Sequence, residues 1–535
     1  MNFNVNSLSK FEFINIKNQT YKIIFKSSLD EEQKKKKIIC NLKKIYDIEN
    51  KKNIIEIIKK IEGHFFFILW SKNFLFCTVD HVCSYPLIYS LASNRLIISD
   101  NKKYLREKKI NQINLDAINL SGYGISNNTN YKNYNSLKPC EYIFLTKSKL
   151  DKNFWFSTKY NYKNKNINAN LKFDQLITNQ FLYLKKKSDS YEIIVPLSAG
   201  IDSRFIVSGL KYFEIKNFKT FTYGSSNLRD FKIADQISNK INIENKKIFI
   251  TFNDARKIYT SKNFEKYLKY RDLGISSNNP GDYFAINKLT NEGWIKKNSL
   301  IINGQAGDFI SGNHIPNFLY KKKKENLNDL VNQTLNFIIF KHYNLWSEMK
   351  LTQKQMKIKK FIHELYFKKI NNFKDIIESY ETFEYENRQI KWVVGQQKVY
   401  DYFNLSWTLP LWDRSLINFF YRNLTIYSKI NQKFYKEFLI KKNMCGVWRE
   451  IEINPKERFK LSLRIVRFFL KCIFFFISKK KWHIFERKFI NYFTDPAMFP
   501  AMVSYSDYVI SKKIPRNIIS FISKKYVKKY KKNFR

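Results

Sequence analysis

A short apolar stretch in the middle of the chain leads directly into a segment of small and polar residues. Ile193–Leu197 is fully apolar, and Ser198–Ser203, with the sequence Ser-Ala-Gly-Ile-Asp-Ser, follows it at once. Small residues at the end of a strand let backbone N–H groups face an oxyanion, and a following helix adds its positive dipole end. Asp202 could hold a phosphate-bound Mg²⁺. The segment predicts a phosphate-binding loop, with an ordinary capped strand–turn–helix as the alternative.

A second signal is the concentration of glycine further along the chain. The chain has only 14 glycines in 535 residues, yet Gly304, Gly307 and Gly312 fall within nine consecutive residues. Average proteins contain about 7% glycine, so this cluster is unlike the rest of the sequence. Glycines that remain in such a chain are expected where φ is positive or where backbones approach closely. The same window contains a second carboxylate, Asp308.

The elements predicted around these residues indicate a parallel sheet. Strands are expected at Ile193–Leu197, Phe218–Tyr223 and Lys247–Thr251, with helices at Arg204–Tyr212 and Asp230–Lys240 between them. Strands that alternate with helices are typical of a parallel sheet with helical crossovers. Ligands of such sheets bind at the carboxyl ends of the strands. An antiparallel pairing of the first two strands would contradict this fold.

The parts of the chain on either side have different patterns. Four apolar runs, at His64–Trp70, Leu75–Val79, Leu87–Tyr89 and Arg95–Ser99, predict a β-meander. After about residue 320, strand patterns disappear and helical patterns rich in Lys and aromatic residues continue to the end. We therefore expect an α/β chain: a layered antiparallel β domain to about residue 165, then a parallel-sheet domain that becomes all-helical.

Three of these segments resemble the motifs of a known family. Ser198–Ser203 is similar to the SGGxDS pyrophosphate loop of ATP-pyrophosphatases, and in detail to that of the asparagine synthetase family. Thr220–Gly224 resembles that family's adenine-side strand, and Asp230 and Ala234 fit its D/E-xxx-A helix. Asn303–Gly312, Asn-Gly-Gln-Ala-Gly-Asp-Phe-Ile-Ser-Gly, resembles the second signature, G-E-G-A-D-E-L-F-G-G. The other common phosphate loop, GxxxxGK[ST], is missing from the sequence.

The resemblance extends into the N-terminal half and covers roughly residues 60–460. Gly63–Phe66, Asp80 and Tyr85–Tyr89 are similar to the G-x-F-A…D…PLYY segment of the family's glutaminase domain. Leu137–Pro139 resembles its L-x-P-G, with Cys in place of the Gly, and Leu409–Asp413 resembles its V-P-F-L-D.

The resemblance also implies an organisation for the whole chain. Residues 1–165 would be a degenerate glutaminase-like domain, an α+β sandwich of the N-terminal-nucleophile hydrolase type. Residues 166–460 would be an asparagine synthetase-like ATP-pyrophosphatase domain, with a parallel sheet like that of the adenine-nucleotide α-hydrolases and a helical C-terminal part. Residues 461–535, which match no pattern, would form a basic helical extension.

The activity implied by the resemblance is ATP-dependent amide-bond formation. A small-molecule carboxylate would react with ATP to give an acyl-adenylate and pyrophosphate, and ammonia or another amine would then release AMP. ATP and Mg²⁺ are the implied cofactors, with Asp202 and Asp308 holding the metal. The residues implied to line the nucleotide and its phosphates are Leu197, Ser198, Ala199, Gly200, Asp202, Ser203, Tyr223, Asn303 and Gly304.

Two residues are candidates for a direct part in the chemistry. The family places a Lys from a late loop against the transition state, and Lys460 is the candidate here, with a solvated surface Lys as the alternative. Gln305 stands where the family has a Glu, and an amide has no basic form near neutral pH. Asparagine as the product is therefore in question, whereas adenylation is not. His314 could face the substrate, or serve in packing.

Glutamine hydrolysis is not expected of this chain. The family's amidotransferases use a Cys at position 2 as the nucleophile, whereas this sequence has Asn2 there and no Cys before Cys40. An amide side chain cannot form a thioester. The resemblance therefore implies that the amine comes from free ammonia, another protein or the substrate itself.

Charge does not by itself assign a partner. The 96 Lys and Arg against 46 Asp and Glu give a net charge of +50, which suits nucleic acid or an anionic membrane. The same Lys, Asn, Ile, Phe and Tyr residues are those that an AT-rich genome favours, and this compositional explanation is preferred. A tRNA-modifying ATP-pyrophosphatase and a non-catalytic scaffold are the alternative functions. Nucleic acid is not expected, because no RNA-binding module is visible.

The location of the protein is expected to be cytoplasmic. The N-terminus lacks a basic stretch followed by an apolar one, and the six cysteines show no CxxC, which is typical of free thiols in a reducing compartment. The apolar run Phe468–Ile477 is too short to span a membrane. It is interpreted as a core helix of the C-terminal bundle, with peripheral membrane contact as the alternative. The sequence leaves the oligomeric state open.

Overall fold

The computed structural model describes residues 2–16, 19–45, 47–92, 95–105, 109–157, 168–225, 229–277, 279–321, 326–454, 461–494, 501–511 and 513–533. The strands are β1 (Asn2–Asn6), β2 (Glu12–Ile16), β3 (Gln19–Ser27), β4 (Phe65–Trp70), β5 (Leu75–Val79), β6 (Ile88–Ala92), β7 (Arg95–Ser99), β8 (Asn135–Ser136), β9 (Glu141–Leu145), β10 (Leu150–Phe154), β11 (Glu192–Pro196), β12 (Phe218–Gly224), β13 (Asn245–Phe249), β14 (Ser299–Ile302) and β15 (Ser406–Thr408).

The α-helices are α1 (Glu31–Lys44), α2 (Lys51–Lys59), α3 (Gln112–Ser121), α4 (Ala169–Ser188), α5 (Ile201–Tyr212), α6 (Arg229–Ile241), α7 (Phe252–Tyr259), α8 (Lys262–Arg271), α9 (Tyr283–Asn291), α10 (Gly307–Ile310), α11 (Asn317–Lys321), α12 (Leu327–His342), α13 (Gln353–Ile362), α14 (Phe373–Glu384), α15 (Lys398–Tyr402), α16 (Arg414–Arg422), α17 (Ile426–Lys429), α18 (Lys433–Lys442), α19 (Leu461–Phe475), α20 (Lys479–Phe485), α21 (Tyr505–Ile510) and α22 (Ile518–Asn533). A long π-helical segment, Tyr385–Val393, continues α14.

The N-terminal part is built from two stacked sheets. One has the strand order β1-β7-β6-β8, and the other, which is antiparallel throughout, has the order β10-β9-β5-β4-β3-β2. Successive side chains of a strand point to opposite faces. Phe66 and Ile68 of β4 therefore face the main core, whereas Phe65, Phe67 and Leu69 pack in a second core with residues of α1 and α2. The six-stranded sheet is thus buried on both faces.

Two details of this part differ from the sequence expectation. The four apolar runs are strands β4 to β7, but they do not form one meander, since β4 and β5 lie in one sheet and β6 and β7 in the other. The chain changes sheet at the buried Asp80, whose carboxylate accepts hydrogen bonds from the N–H groups of Phe65 and Val82. In addition, β1 pairs with β7 in parallel, so the layers are not purely antiparallel.

The five-stranded sheet of the second part is parallel, as predicted. Its strand order is β13-β12-β11-β14-β15, and β11 pairs in parallel with both β12 and β14. The α/β fold class is therefore confirmed. Two strands were missed: the first is β14, which was not among the expected strands, and the second, β15, follows residue 320, where only helices were expected. It is three residues long and carries too little alternation to be recognised, and its pairing with β14 is a long-range contact.

The N-terminal part of the chain is in direct contact with the parallel sheet and with the C-terminal helices. The N–H of Trp407 donates to the backbone carbonyl of Ser28, and α22 packs on α3 through Tyr526 and Tyr530. The boundary expected near residue 165 falls in 158–167, outside the described residues.

The helix α19 corrects the interpretation of the C-terminal apolar run. None of its residues is buried, so it is not a core helix. The sequence pattern alone could not show this, because an amphipathic stretch looks the same whether or not another element covers it. Within the described residues, no helix has both the length and the apolar character needed to cross a bilayer.

Candidate functional site

The predicted phosphate-binding loop joins the end of β11 to the N-terminus of α5. The hydroxyl of Ser203 accepts a hydrogen bond from the N–H of Ser198 at 3.1 Å, and the two hydroxyls lie 3.0 Å apart. The N–H of Gly200 donates to the hydroxyl of Ser198 at 3.2 Å. The two serines therefore fix the conformation of the loop. The N–H groups in the first turn of α5 lie at the same end of the sheet as the loop.

The glycine-rich window meets this loop at the end of the neighbouring strand, β14. The N–H of Asp308 donates to Oδ2 of Asp202 at 3.0 Å, although 106 residues separate the two in sequence. The other oxygen, Oδ1 of Asp202, is buried and has no hydrogen-bond partner among the described residues. Burial and the charge of Asp308 raise the pKa of Asp202 well above its usual range. The structure therefore brings both predicted metal ligands into one place.

Glycine is required at two positions for the loops to approach this closely. A Cβ on Gly304 would lie 2.8 Å from the backbone carbon of Asp202, and one on Gly307 would lie 2.4 Å from Oδ1 of Asp202. At distances under about 3 Å the neighbouring atoms must move: at Gly304 these are backbone atoms of the phosphate-binding loop, and at Gly307 they belong to the side chain of Asp202. This explains why glycines are kept here in a chain that otherwise has few.

Asp308 is held in turn by a buried network behind it. Nε2 of His314 lies 2.9 Å from Oδ2 of Asp308, and Nδ1 of the same ring bonds the carboxylate of Glu384. Burial lowers the pKa of His314, but the two carboxylates outweigh it and raise the pKa to about 9. Burial likewise opposes ionisation of Asp308, yet the hydrogen bond and charge of His314 lower its pKa. His314 thus keeps Asp308 ionised.

Glu384 is the centre of that network. It is fully buried, and its oxygens also lie within reach of Lys341, Tyr380 and Arg388. Burial opposes its ionisation, but the neighbouring histidines, His314 among them, keep the pKa of Glu384 well below its usual value. A carboxylate on the helix α14 is in this way connected to the residue that faces the cavity, Asp308.

A second cluster closes the other end of the site. Tyr223, at the end of β12, donates to Asp282, and Tyr400 donates to the other oxygen of the same carboxylate, each at 2.5 Å. The side-chain amide of Asn303 donates to Tyr400 at 3.1 Å. Two predicted nucleotide-lining residues, Tyr223 and Asn303, are therefore connected through Asp282 and Tyr400.

The phosphate-binding loop, the two aspartates and the Tyr223–Asp282 pair line one cavity of about 640 Å³ at the carboxyl ends of the parallel strands. The predicted residues that line it are Leu197, Ser198, Gly200, Asp202, Ser203, Tyr223, Asn303, Gly304, Gln305 and Asp308. Ala199 does not line it, because the residue is buried and its N–H donates to Asp230. Lys460 lies in 455–460, outside the described residues, so its role stays a prediction.

Gln305 faces the cavity with its amide oxygen already engaged. Nε2 of Gln397 donates to Oε1 of Gln305 at 2.7 Å. An amide held in this way can orient a ligand but cannot accept a proton from it.

The chain segment that precedes Lys460 is anchored by a residue that directly follows the phosphate-binding loop. Arg204, in the first turn of α5, is buried, and its guanidinium donates to the carbonyls of Val447, Ile451 and Glu452. Since Arg204 follows the loop by one residue, the segment that ends at residue 454 is held at the side of the cavity, which Asn454 lines.

Several residues of the site were not found from the sequence. They are Arg204, Asp282, Glu384, Arg388 and Gln397. Apart from Arg204, which directly follows the phosphate-binding loop, each lies in a segment without a recognisable motif. The contacts that bring Glu384 to His314 and Gln397 to Gln305 join residues that are 70 and 92 positions apart in sequence. The only available signal was a polar residue within an otherwise apolar helical pattern, which is common in helices that serve no site.

The carboxylate pair fits a Mg²⁺ that arrives with phosphate. Among the described residues, no group of three or more His, Cys, Asp or Glu side chains could hold a metal ion. Mg²⁺ is usually held by one or two carboxylates together with substrate phosphates, and seldom by a complete protein cage. The unpartnered Oδ1 of Asp202 is an oxygen donor of the required kind.

Comparisons with known proteins leave the function to be argued from the site. No protein-family model matches the chain, and no curated protein matches it significantly. Similar solved structures include glutamine phosphoribosylpyrophosphate amidotransferase from B. subtilis, complexed with ADP and GMP (8% identity, 44% of this chain and 72% of that chain, TM-score 0.20). Others are the NH3-dependent NAD synthetase from Campylobacter jejuni (14%, 41% and 95%, TM-score 0.22) and the allosteric regulatory enzyme of purine biosynthesis (8%, 46% and 63%, TM-score 0.21). TM-scores this low carry no functional argument.

Proposed function

We propose that this chain is an ATP-dependent ligase of the asparagine synthetase-like type, which forms an amide through an acyl-adenylate and releases pyrophosphate and AMP. The observation that supports it most is the meeting of Asp202 and Asp308 beside a phosphate-binding loop. A buried carboxylate oxygen without a partner is costly unless a cation or a donor reaches it. A divalent cation bound to the phosphates of ATP would meet that need.

The parts of the cavity are assigned by their chemistry. The loop Ser198–Ser203 and the N-terminus of α5 bind the phosphates, and the Tyr223–Asp282 end holds the nucleoside. Asp202 and Asp308 hold Mg²⁺, which when bound neutralises charge on the pyrophosphate leaving group.

The carboxylate substrate is assigned to the remaining wall of the cavity. Arg388 lines this wall with about a third of its side chain exposed, and Gln389 lies beside it. An arginine recognises a carboxylate through paired N–H donors. The guanidinium would orient one carboxylate oxygen of the substrate towards the α-phosphorus of ATP.

The amine is assigned to an external source. Asn2 is part of β1, and its amide cannot act as the nucleophile that glutamine hydrolysis requires. Gln305 would orient the incoming amine without taking its proton, since an amide has no basic form near neutral pH, and the proton is released to solvent water.

The proposal is tested by replacing the two aspartates. We expect Asp202→Asn and Asp308→Asn each to lower ATP–pyrophosphate exchange by at least about 100-fold, since charge stabilisation of this kind is commonly worth ~3 kcal/mol or more. Asp189→Asn, at an exposed helix end, is the matched control and should leave exchange unchanged. Binding of Mg·ATP is measured in parallel by calorimetry, because it needs no second substrate.

The outcomes separate the possible functions. Exchange with a small carboxylate, followed by AMP formation only when ammonium or another amine is added, supports the ligase. Exchange that requires tRNA would assign the chain to tRNA modification instead. Binding of Mg·ATP that is unchanged in both aspartate variants, without any exchange, would contradict the proposed site.

A further inference from the structure

Several strongly exposed apolar side chains belong to one helix, α19. Its sequence, LSLRIVRFFLKCIFF, is mostly apolar, yet no residue of it is buried. Phe468 and Phe469 are 65% and 63% exposed, and Phe475 and the following Phe476 are 83% and 87% exposed. Exposed apolar residues that occur singly are normal, but a continuous group of this kind marks an interaction surface.

The exposed residues share one side of the helix. At about 100° per residue, the exposed apolar side chains cover about half of the helix circumference. Their order around the helix is Phe475, Phe468, Leu461, Ile465 and Val466. The opposite side is half-buried, and its Phe474 contacts the rings of Trp482 and Phe485. The helix therefore rests on α20 with one side and presents an apolar face with the other.

Cationic residues border this face. Arg464 and Lys471 are exposed and fall beside Phe475 on the helix circumference, and Lys479 and Lys481 of α20 are exposed nearby in sequence. Between residues 461 and 485 the sequence contains no Asp or Glu. Glu486, just beyond this range, pairs with Arg467 on the half-buried side of the helix. An apolar surface with cations along one edge is complementary to a bilayer whose headgroups are anionic.

The length of the helix excludes a crossing. Its 15 residues extend for about 22 Å at 1.5 Å per residue, whereas the hydrocarbon core of a bilayer is about 30 Å thick. A helix of this kind lies along the membrane surface with its apolar side chains among the acyl chains and its cations at the headgroups.

We propose that α19 docks this protein on the surface of a membrane that contains anionic lipid. The proposal is independent of the function assigned to the cavity, because α19 contributes no residue to it. The aromatic side chains supply the apolar contact, and Arg464 and Lys471 select for anionic headgroups.

The test is cosedimentation of the full chain with vesicles of phosphatidylcholine, with and without phosphatidylserine. We expect binding to the vesicles that contain phosphatidylserine. Phe469→Glu should weaken it by about tenfold or more, because one large apolar side chain is lost from the interface and a like charge is brought to it. Leu171→Glu is the matched control, since Leu171 is 64% exposed on α4 and should leave binding unchanged.

Replacing the cations tests the choice of lipid. Arg464→Gln and Lys471→Gln should each lower binding to the anionic vesicles by about fivefold, the effect expected of one cation near a charged surface. Binding should also fall as salt is added. Equal binding to vesicles with and without phosphatidylserine would overturn the role of these two residues.

A second copy of the chain is the other occupant that the experiment can reveal. Size-exclusion chromatography with light scattering is run on the wild type and Phe469→Glu without vesicles. A dimer that Phe469→Glu dissociates, together with no vesicle binding by the wild type, would overturn the proposal. A monomer in both proteins, with vesicle binding by the wild type alone, would support it.

Discussion

The two aspartates at the phosphate-binding loop have opposite electrostatic surroundings. Burial and the neighbouring Asp308 raise the pKa of Asp202, whereas His314 lowers the pKa of Asp308 in spite of burial. A cation held between phosphate and Asp202 would favour the ionised carboxylate. Because both residues carry the same side chain, the difference between their pKa shifts comes from the neighbouring groups.

The approach of the two loops can be tested at Gly307. A methyl group there would meet Oδ1 of Asp202 at 2.4 Å, so Gly307→Ala should displace the carboxylate of Asp202. We expect a loss of about 1–3 kcal/mol in the free energy of unfolding from overpacking. ATP–pyrophosphate exchange should fall about 100-fold, as expected for a misplacement of about 1 Å.

The matched control for that variant is Gly395→Ala. A Cβ on Gly395 would have its nearest contact at 3.7 Å, from the carbonyl of Ile390, which is an ordinary distance. Urea unfolding and exchange should both be close to those of the wild type. Equal effects of the two substitutions would show that the close packing around Gly307 is not what maintains the site.

At the scale of elements, a buried ion pair connects two helices of the C-terminal part. Glu381 of α14 and Lys429 of α17 are both fully buried, and their charged atoms lie 2.7 Å apart. The ammonium also lies 4.3 Å from the ring centre of Tyr421. Since α14 continues into the segment that carries Arg388, this pair helps to position one wall of the cavity.

Breaking the pair should cost more than removing it. Lys429→Met leaves the buried carboxylate of Glu381 without its lysine, and we expect a loss of about 3–5 kcal/mol in the free energy of unfolding. Combining Glu381→Leu with Lys429→Met should restore most of that loss, because two apolar side chains then fill the space. Urea unfolding of the wild type, both single variants and the double variant measures this, and a double variant no more stable than Lys429→Met would contradict it.

At the scale of the whole molecule, some of the lysines that contribute to the large positive charge are buried. Burial lowers the pKa of Lys391 to about 7, and those of Lys34, Lys398 and Lys429 to about 8, against some attraction from nearby carboxylates. Lys391 is buried and donates to the carbonyl of Gly124 at 3.0 Å. The folded state therefore opposes protonation at several positions where the unfolded chain accepts it.

These lysines should consequently make the free energy of unfolding rise with pH, whereas His314, whose pKa is raised to about 9, contributes in the opposite direction over the same range. In the unfolded chain Lys391 keeps its proton up to about pH 10.5, whereas in the folded state it loses it near pH 7. Between these two values the unfolded state binds more protons, so the free energy of unfolding increases by up to about 1.4 kcal/mol per pH unit for this one group. Below pH 7 both states are protonated, and the cost of burying the charge is fully present.

Lys391→Met isolates that contribution. Urea midpoints measured from pH 6 to 9 should rise less steeply with pH in Lys391→Met than in the wild type, with the largest gain in stability at the acidic end. Lys297→Met, at an exposed position, should keep the slope of the wild type. Parallel curves for all three proteins would show that the ammonium of Lys391 is solvated in the folded state.

The sequence by itself determined the features that depend on neighbouring residues. The loop Ser198–Ser203, the helix after it and the glycines of the second loop were recognisable because strand, turn and helix signals are local. The parallel order of the sheet also followed, since strands that alternate with helices can return only by crossovers. Lys460 remains a prediction from the resemblance alone.

Only the tertiary structure decided which distant residues complete the site. Glu384 and Gln397 have ordinary sequence surroundings, and packing across separate elements brings them to His314 and Gln305. For the same reason, the sequence did not predict the position of β15 in the sheet or the exposure of α19. A residue's own sequence sets what its side chain can do, but the neighbour that uses or covers that side chain is chosen by contacts between segments far apart in the chain.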